Sequence, residues 1–382
     1  MKIAFLITDN REHHRRYDLP APYFGAAPEA LLEGFAHHPQ AEVHVISCTQ
    51  RAMASPEKIA PNIWFHSVRV PKLGWLRTGY QGCIRASRGK LRELQPDVVH
   101  GQGTERDCAV SAIFSGFPNV ITIHGNMGQV GKALHARPGT FYWWAALLER
   151  FTLPRTDGVF CNSAYTESVV KPRARRIWRV PNALREPFFL EPIPSARPPG
   201  VLLNIGVISP YKRQNELLTL AEQLHRDGHR LELQFVGSSE AETAYGAEFL
   251  RRVKVAEEAG YARYLGTKSL PELIRCLDSA SALVHTPAEE SFGLVVAEAL
   301  ARNLKLFAHG VGGVTDIASG VEGAELFAPG DWSGMANSIA NWLSTGSPRP
   351  ARAAETMSAR YHPRVVAEQH LAIYRELLAT RA

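Results

Sequence analysis

Two glutamates, Glu290 and Glu298, bracket a Phe-Gly turn in the stretch Glu290-Ser-Phe-Gly-Leu-Val-Val-Ala-Glu298. A carboxylate only accepts hydrogen bonds, so each suits a hydroxyl-rich ligand such as a sugar or a ribose diol. The amides of Ser291, Phe292, Gly293, Leu294 and Val295 open a helix, and a helix N-terminus suits an anion such as a diphosphate. From Gly293 to Glu298 that helix rises about 7–8 Å. A ligand with hydroxyls at two places and a phosphate between them fits, which describes a sugar nucleotide. A second set lies in Gly206-Val-Ile-Ser-Pro-Tyr-Lys-Arg-Gln214. There Gly206 allows close backbone approach, Lys212 carries a point charge, and Arg213 carries a fork that can span two phosphate oxygens.

Rigid elements must stand behind these groups. Residues 282–285 read as a short buried strand closed by Pro287, and from about Phe292 apolar residues recur at helical spacing. In a parallel sheet this places Glu290 outside the carboxyl end of a strand, where open α/β sheets bind ligands. Further strands are predicted at 3–8, 43–48, 63–68, 97–100, 119–123 and 158–162. After the proline-rich stretch 187–200, which reads as a linker, they resume at 201–207, 231–236, 261–265 and 305–308. Helices are predicted between them, at 28–37, 141–153 and 215–225, and an amphipathic helix ends the chain. From residue 313 onward the chain is expected to be mainly helical. The alternation predicts an α/β fold with two doubly wound parallel sheets.

The stretch around Glu290 resembles the signature of glycosyltransferase family 4, a Glu, seven residues including Phe-Gly-Leu, then a second Glu. That family has the two-domain GT-B fold and transfers sugar from a nucleotide donor with retention of anomeric configuration. The resemblance implies that Glu290 contacts the donor sugar and Glu298 the ribose hydroxyls. The 206–214 stretch resembles the family's Gly-Arg-x-Ser-x-x-Lys segment, but Val207 stands at the arginine position. Lys212, the helix amides and Arg213 as a substitute cation are then left to neutralise the leaving diphosphate. Thr122-Ile-His124 resembles a Thr-x-His segment whose histidine lies near the transferred sugar. In the loop 19–28, Gly25 matches half of a Gly-Gly pair close to the donor phosphates, with Ala26 in its partner's place. Gly312-Gly313 resembles the turn that faces the donor sugar.

For the whole chain the resemblance implies two Rossmann-like domains facing across a cleft. The acceptor-side domain would be 1–186, completed by a helix at about 364–382 crossing back. A linker at 187–200 would lead to the donor domain, 201–363. The co-substrate would be a UDP- or GDP-sugar, with no cofactor bound permanently. In the mechanism implied, the departing phosphate accepts the acceptor's proton on the same face of the sugar.

At 382 residues, 45% hydrophobic and 21% charged, the chain is long enough for two ordinary globular domains. A net charge of +6 favours anionic partners. No nucleic-acid-binding motif accompanies it, so nucleic acid is not expected. Five scattered cysteines, without zinc-like spacing, point to reduced thiols in a cytoplasm-like compartment. No Asp-x-Asp triplet occurs, so transfer without a bound metal is expected. The stretches 72–92 and 132–155 mix basic and aromatic residues and suggest an anionic lipid or acceptor surface. Peripheral association with the inner face of a membrane is the expectation that follows. The acceptor is expected to be a glycan, a lipid-linked molecule or a small molecule. His100 and His124 would point to the ligand side if their strands are parallel. A lone histidine after a strand is more often structural, and the resemblance favours only His124 at the site. His13-His14 and His37-His38 are expected on the surface. A glycoside hydrolase fits poorly, because its two carboxylates must flank one bond. The remaining alternatives are a sugar-nucleotide epimerase of the same fold and a sugar-nucleotide-binding protein without turnover, for which Val207 is the best argument.

Overall fold

The computed structural model describes residues 1–71, 75–194 and 197–380. Lys72 of the first basic stretch and Ser195 and Ala196 of the proline-rich stretch lie outside them. Contacts divide the chain into two compact units, Met1–Glu186 with Tyr361–Ala382, and Pro187–Arg360.

The first unit is built on strands β1 (Lys2–Leu6), β2 (Glu42–Thr49), β3 (Lys58–Ala60), β4 (Ile63–Arg69), β5 (Val98–Gln102), β6 (Asn119–Ile123), β7 (Gly158–Cys161) and β8 (Ile177–Arg179). Their order is β3-β4-β2-β1-β5-β6-β7-β8, parallel except where β3 pairs with β4. Strand β1 shows why a parallel sheet reads as an unbroken apolar run, since both its faces are covered. Ile3 and Phe5 enter one core, with Phe35 and Phe160; Ala4 and Leu6 enter another, with Val99, Ile121 and Leu153. The last helix, Pro363–Ala379, packs on Ala26–Ala36 and contributes Tyr374 and Leu377 to the first of these cores.

The second unit is built on β9 (Val201–Ile205), β10 (Glu232–Val236), β11 (Ala262–Gly266), β12 (Ala282–His285), β13 (Lys305–His309) and β14 (Ala324–Phe327). All its pairings are parallel, in the order β11-β10-β9-β12-β13-β14. The segment read from sequence as a linker begins with a short helix, Pro187–Leu190, held to this unit by Arg302. Arg302 is fully buried, pairs with Asp278, and donates to the carbonyls of Phe188, Glu191 and Pro192.

Three edge strands, β3, β8 and β14, were not expected. Each has only three or four residues, too few for a period to show. From residue 313 the described chain is mainly helical, as expected, with β14 as the strand within it, and β8 falls in a stretch rich in arginine. His100 is a structural residue, as a lone histidine after a strand more often is. Its strand continues to Gln102, and its imidazole lies in the core, bonded to Tyr374 Oη and to Thr122 Oγ1. Among the described residues no helix is long and apolar enough to cross a membrane.

Candidate active site

A doubly wound sheet leaves a crevice where successive crossovers turn to opposite sides, and ligands bind there outside the carboxyl ends of the strands. In the second sheet that point lies between β9 and β12. The loop after β9 carries Lys212 and the loop after β12 carries Glu290. Lys212 Nζ lies 2.6 Å from Glu290 Oε2, and His285, the last residue of β12, places Nε2 3.1 Å from the same oxygen. The two loops are also tied by backbone, the amide of Ala288 donating to the carbonyl of Tyr211 at 2.6 Å.

Electrostatics set the charge state of this cluster. Burial pushes the Glu290 carboxyl up, but Lys212 and His285 outweigh it and hold the group at about 2. Burial likewise opposes the Lys212 charge, and Glu290 more than restores it, so the ammonium is held above its usual range. His285 is pushed below its usual value by burial, against the pull of Glu290. The result is an ion pair to which a neutral imidazole donates. Both of these hydrogen bonds fall on Oε2. Oε1 accepts none among the described residues.

The helix after Glu290, Leu294–Ala301, starts from Gly293, whose φ of +102° is one that a side chain would strain. Ser291, Phe292 and Gly293 are buried, while Leu294 and Val295 are half-exposed in the first turn. The first amides of a helix have no intrahelical acceptor. Glu298 sits on the same helix and is buried, 4% exposed. The Gly312-Gly313 turn meets this loop directly, because the amide of Gly313 donates to the Glu290 carbonyl at 3.0 Å. A Cβ on Gly313 would stand 2.6 Å from Phe292 Cα, so only glycine allows this approach.

Gly206 directly follows β9, and the exposed Val207 follows it with its carbonyl bonded to the Gln214 amide. Arg213 adopts φ +60° ahead of the helix Gln214–Arg226. Its charge reaches the imidazole of His309, the last residue of β13; burial, then Arg213, pushes that ring down to about 4. Both ring nitrogens of His309 are buried without a hydrogen-bond partner among the described residues. Sequence reasoning passed over His285 and His309 as site residues. The available signal was position, His285 closing the strand predicted at 282–285 and His309 directly following the one predicted at 305–308.

The first sheet has its own switch point, between β1 and β5. A pocket of about 510 Å³ opens there, lined by Thr8, Asn10, His13, Glu105, Arg106, His124, Gly125, Met127, Phe141 and Tyr142. His124, expected at the site, does line it. Its Nε2 lies 2.8 Å from Gln102 Oε1, and burial pushes the ring down to about 4. At neutral pH it is an uncharged hydrogen-bonding group, not a cation. His13, expected only as a surface residue, also lines the pocket, with Nδ1 accepting from Arg106 at 2.8 Å. Gly25 is the exposed cap of Ala26–Ala36 with φ −73°, and a Cβ there would touch only Pro28. Its backbone does not require glycine.

Two parallel α/β units, each with polar groups gathered at its switch point, define the GT-B architecture. Residues 30–185 match the family model described as Glycosyltransferase Family 4, and residues 188–359 match that of Glycosyl transferases group 1. The chain belongs to glycosyltransferase family 4, and it is an enzyme of that class. Among solved structures it is similar to a sucrose-phosphate synthase from Thermosynechococcus elongatus, with TM-score 0.76, 18% identity and 100% of both chains covered. It is also similar to Anabaena HepE solved with UDP and glucose, with TM-score 0.70 and 18% identity over 98% of this chain and 99% of that one. The lipopolysaccharide outer core galactosyltransferase WaaB aligns with TM-score 0.68 and 18% identity, over 98% of this chain and 100% of that one. No curated protein matches the sequence.

Proposed function

We propose that the protein transfers a sugar, with retention, from a nucleoside-diphosphate sugar to a glycan, lipid-linked or small-molecule acceptor. The observation that carries this reading is the Lys212–Glu290–His285 cluster at the switch point of the second sheet. Glu290 holds the donor sugar through Oε1, while Oε2 stays committed to Lys212 and His285. Glu298 takes the ribose hydroxyls. Lys212, Arg213 and the amides at Leu294 and Val295 receive the charge that develops on the leaving diphosphate, usually the largest catalytic contribution. The departing phosphate takes the acceptor's proton, so no protein base is needed, and no protein-bound metal is invoked. HepE, solved with UDP and glucose and with UDP-glucose, supports a uridine donor over a guanosine one.

Calorimetry on two variants tests the division of labour. Glu298→Gln should weaken binding of the nucleoside diphosphate itself. Glu290→Gln should leave that binding nearly unchanged and cost roughly 1.5–3 kcal/mol with the sugar nucleotide, a charged-acceptor hydrogen bond. Equal loss of nucleotide affinity in both would show the assignment to be wrong.

The acceptor side is proposed to work at an anionic lipid surface. Phe141, Trp144, Leu147 and Phe151 form a stripe along the helix Phe141–Thr152, each 37–38% exposed. The Arg155 guanidinium lies 3.9 Å from the Phe151 ring centre, and Arg85, Arg88 and Arg92 are exposed on the helix Gln81–Leu94. An apolar stripe beside basic groups suits an anionic interface. Sedimentation with anionic vesicles should pull the protein down at low salt and release it at high salt. Equally weak binding to neutral and anionic vesicles at low salt would rule this out.

A further inference from the structure

The described cysteines are all free, and two of them, distant in sequence, come together in space. Cys48 at the end of β2, Cys83 in the first turn of Gln81–Leu94 and Asp107 opening Asp107–Ile113 come together. One ligand atom from each lies within 4.8 Å of the others, and all three side chains are buried. We propose that Cys48, Cys83 and Asp107 form a structural zinc site that fastens two helices to the first sheet.

The chemistry of the donor set is the first reason. Two sulfurs and a carboxylate oxygen form a mixed set of the kind zinc takes, with Zn–S of about 2.3 Å implying sulfurs about 3.8 Å apart. The atoms are therefore within a small side-chain adjustment of a shared ion. Ser87 Oγ, 3.5 Å from Cys48 Sγ and itself buried, can hydrogen-bond a coordinated Cys48 thiolate, and a water can close the fourth position.

The carboxylate is the second reason. Asp107 sits beside an apolar cluster of Val70, Tyr80, Ile84 and Val110. No Lys or Arg forms an ion pair with it among the described residues, and a buried acid without a cation is costly. A divalent ion supplies that cation. It displaces one proton from each thiol to solvent, forms two Zn–S bonds and one Zn–O bond, and leaves the acid paired. Cys108 stands apart from the set, its sulfur being taken by Thr8 Oγ1 at 3.6 Å.

The test is a titration of the reduced, chelator-treated full-length protein with Co²⁺ and then Zn²⁺. One equivalent of Co²⁺ should produce a thiolate-to-cobalt charge-transfer band, which Zn²⁺ abolishes as it displaces the cobalt. Binding should release protons and weaken as the pH falls. Cys83→Ser should lower zinc affinity at least about a hundredfold, beyond the usual effect of losing an outer partner. Cys276→Ser, outside the cluster, should leave the band and the stoichiometry intact. Folded, reduced wild type that shows no charge-transfer band at saturating Co²⁺ overturns the proposal. So does a Cys83→Ser protein that binds zinc as tightly as wild type.

Discussion

Lys212→Ala should lower turnover by about 10²–10³-fold, the range found when one preorganised group facing developing charge is removed. Turnover number and catalytic efficiency should fall together, because the group acts mainly in the transition state. The same substitution should move Glu290. Lys212 holds that carboxyl at about 2 against burial, so without the ammonium burial dominates and the group titrates at higher pH. The acid limb of the pH–rate profile should therefore move upward. A variant with wild-type rates and an unmoved acid limb would remove Lys212 from the site.

Arg213 separates two accounts of the missing arginine. Glu290 already compensates the charge of Lys212, so the leaving diphosphate needs a further cation, and Arg213 is the one whose field reaches His309. Arg213→Ala should then be impaired in single-turnover transfer, and Val207→Arg in that background should restore part of the loss. Wild-type rates in Arg213→Ala would leave Lys212 as the only cation of this loop that matters. The ion pair also contributes to stability. Glu290 titrates at about 2 when folded, against an ordinary 4.5. Its contribution, about 3 kcal/mol, is full above the ordinary value and is lost as the pH falls through the folded one.

Arg11→Met should destabilise the first unit by about 3–5 kcal/mol, because it strands a buried carboxylate. Asp9 and Arg11 have fully buried side chains 2.7 Å apart. Arg11 also donates to the carbonyls of Leu19 and Ala54 and to Ser55 Oγ, so one guanidinium holds two loops beyond the carboxyl ends of β1 and β2. Denaturant melts followed by far-ultraviolet circular dichroism measure the loss. The double change Asp9→Leu with Arg11→Met should cost less than Arg11→Met alone, since it leaves no orphaned charge. Equal melts for Arg11→Met and wild type would mean that water satisfies the carboxylate and that the pair is not sealed.

The amino-acid order determined what is local. Asn119–Ile123 and Ala282–His285 are legible because buried strands of a parallel sheet are short apolar runs bounded by turn residues. The Phe-Gly turn before Leu294–Ala301 is legible because a left-handed residue at a helix start favours glycine. Alternation of such elements was enough for two doubly wound sheets, and the Glu290 and Lys212 stretches marked a family. What tertiary structure decided is which distant groups meet. Lys212 and Glu290 are separated by 78 positions and touch because β12 lies beside β9, on the side opposite β10. Strand order follows from how each helix crosses the sheet, and no residue pattern within β9 or β12 records it. The same reason placed His100 in a core with Tyr374, a partner 274 positions away. It also brought Cys48, Cys83 and Asp107 together from three elements whose separations resemble no metal motif.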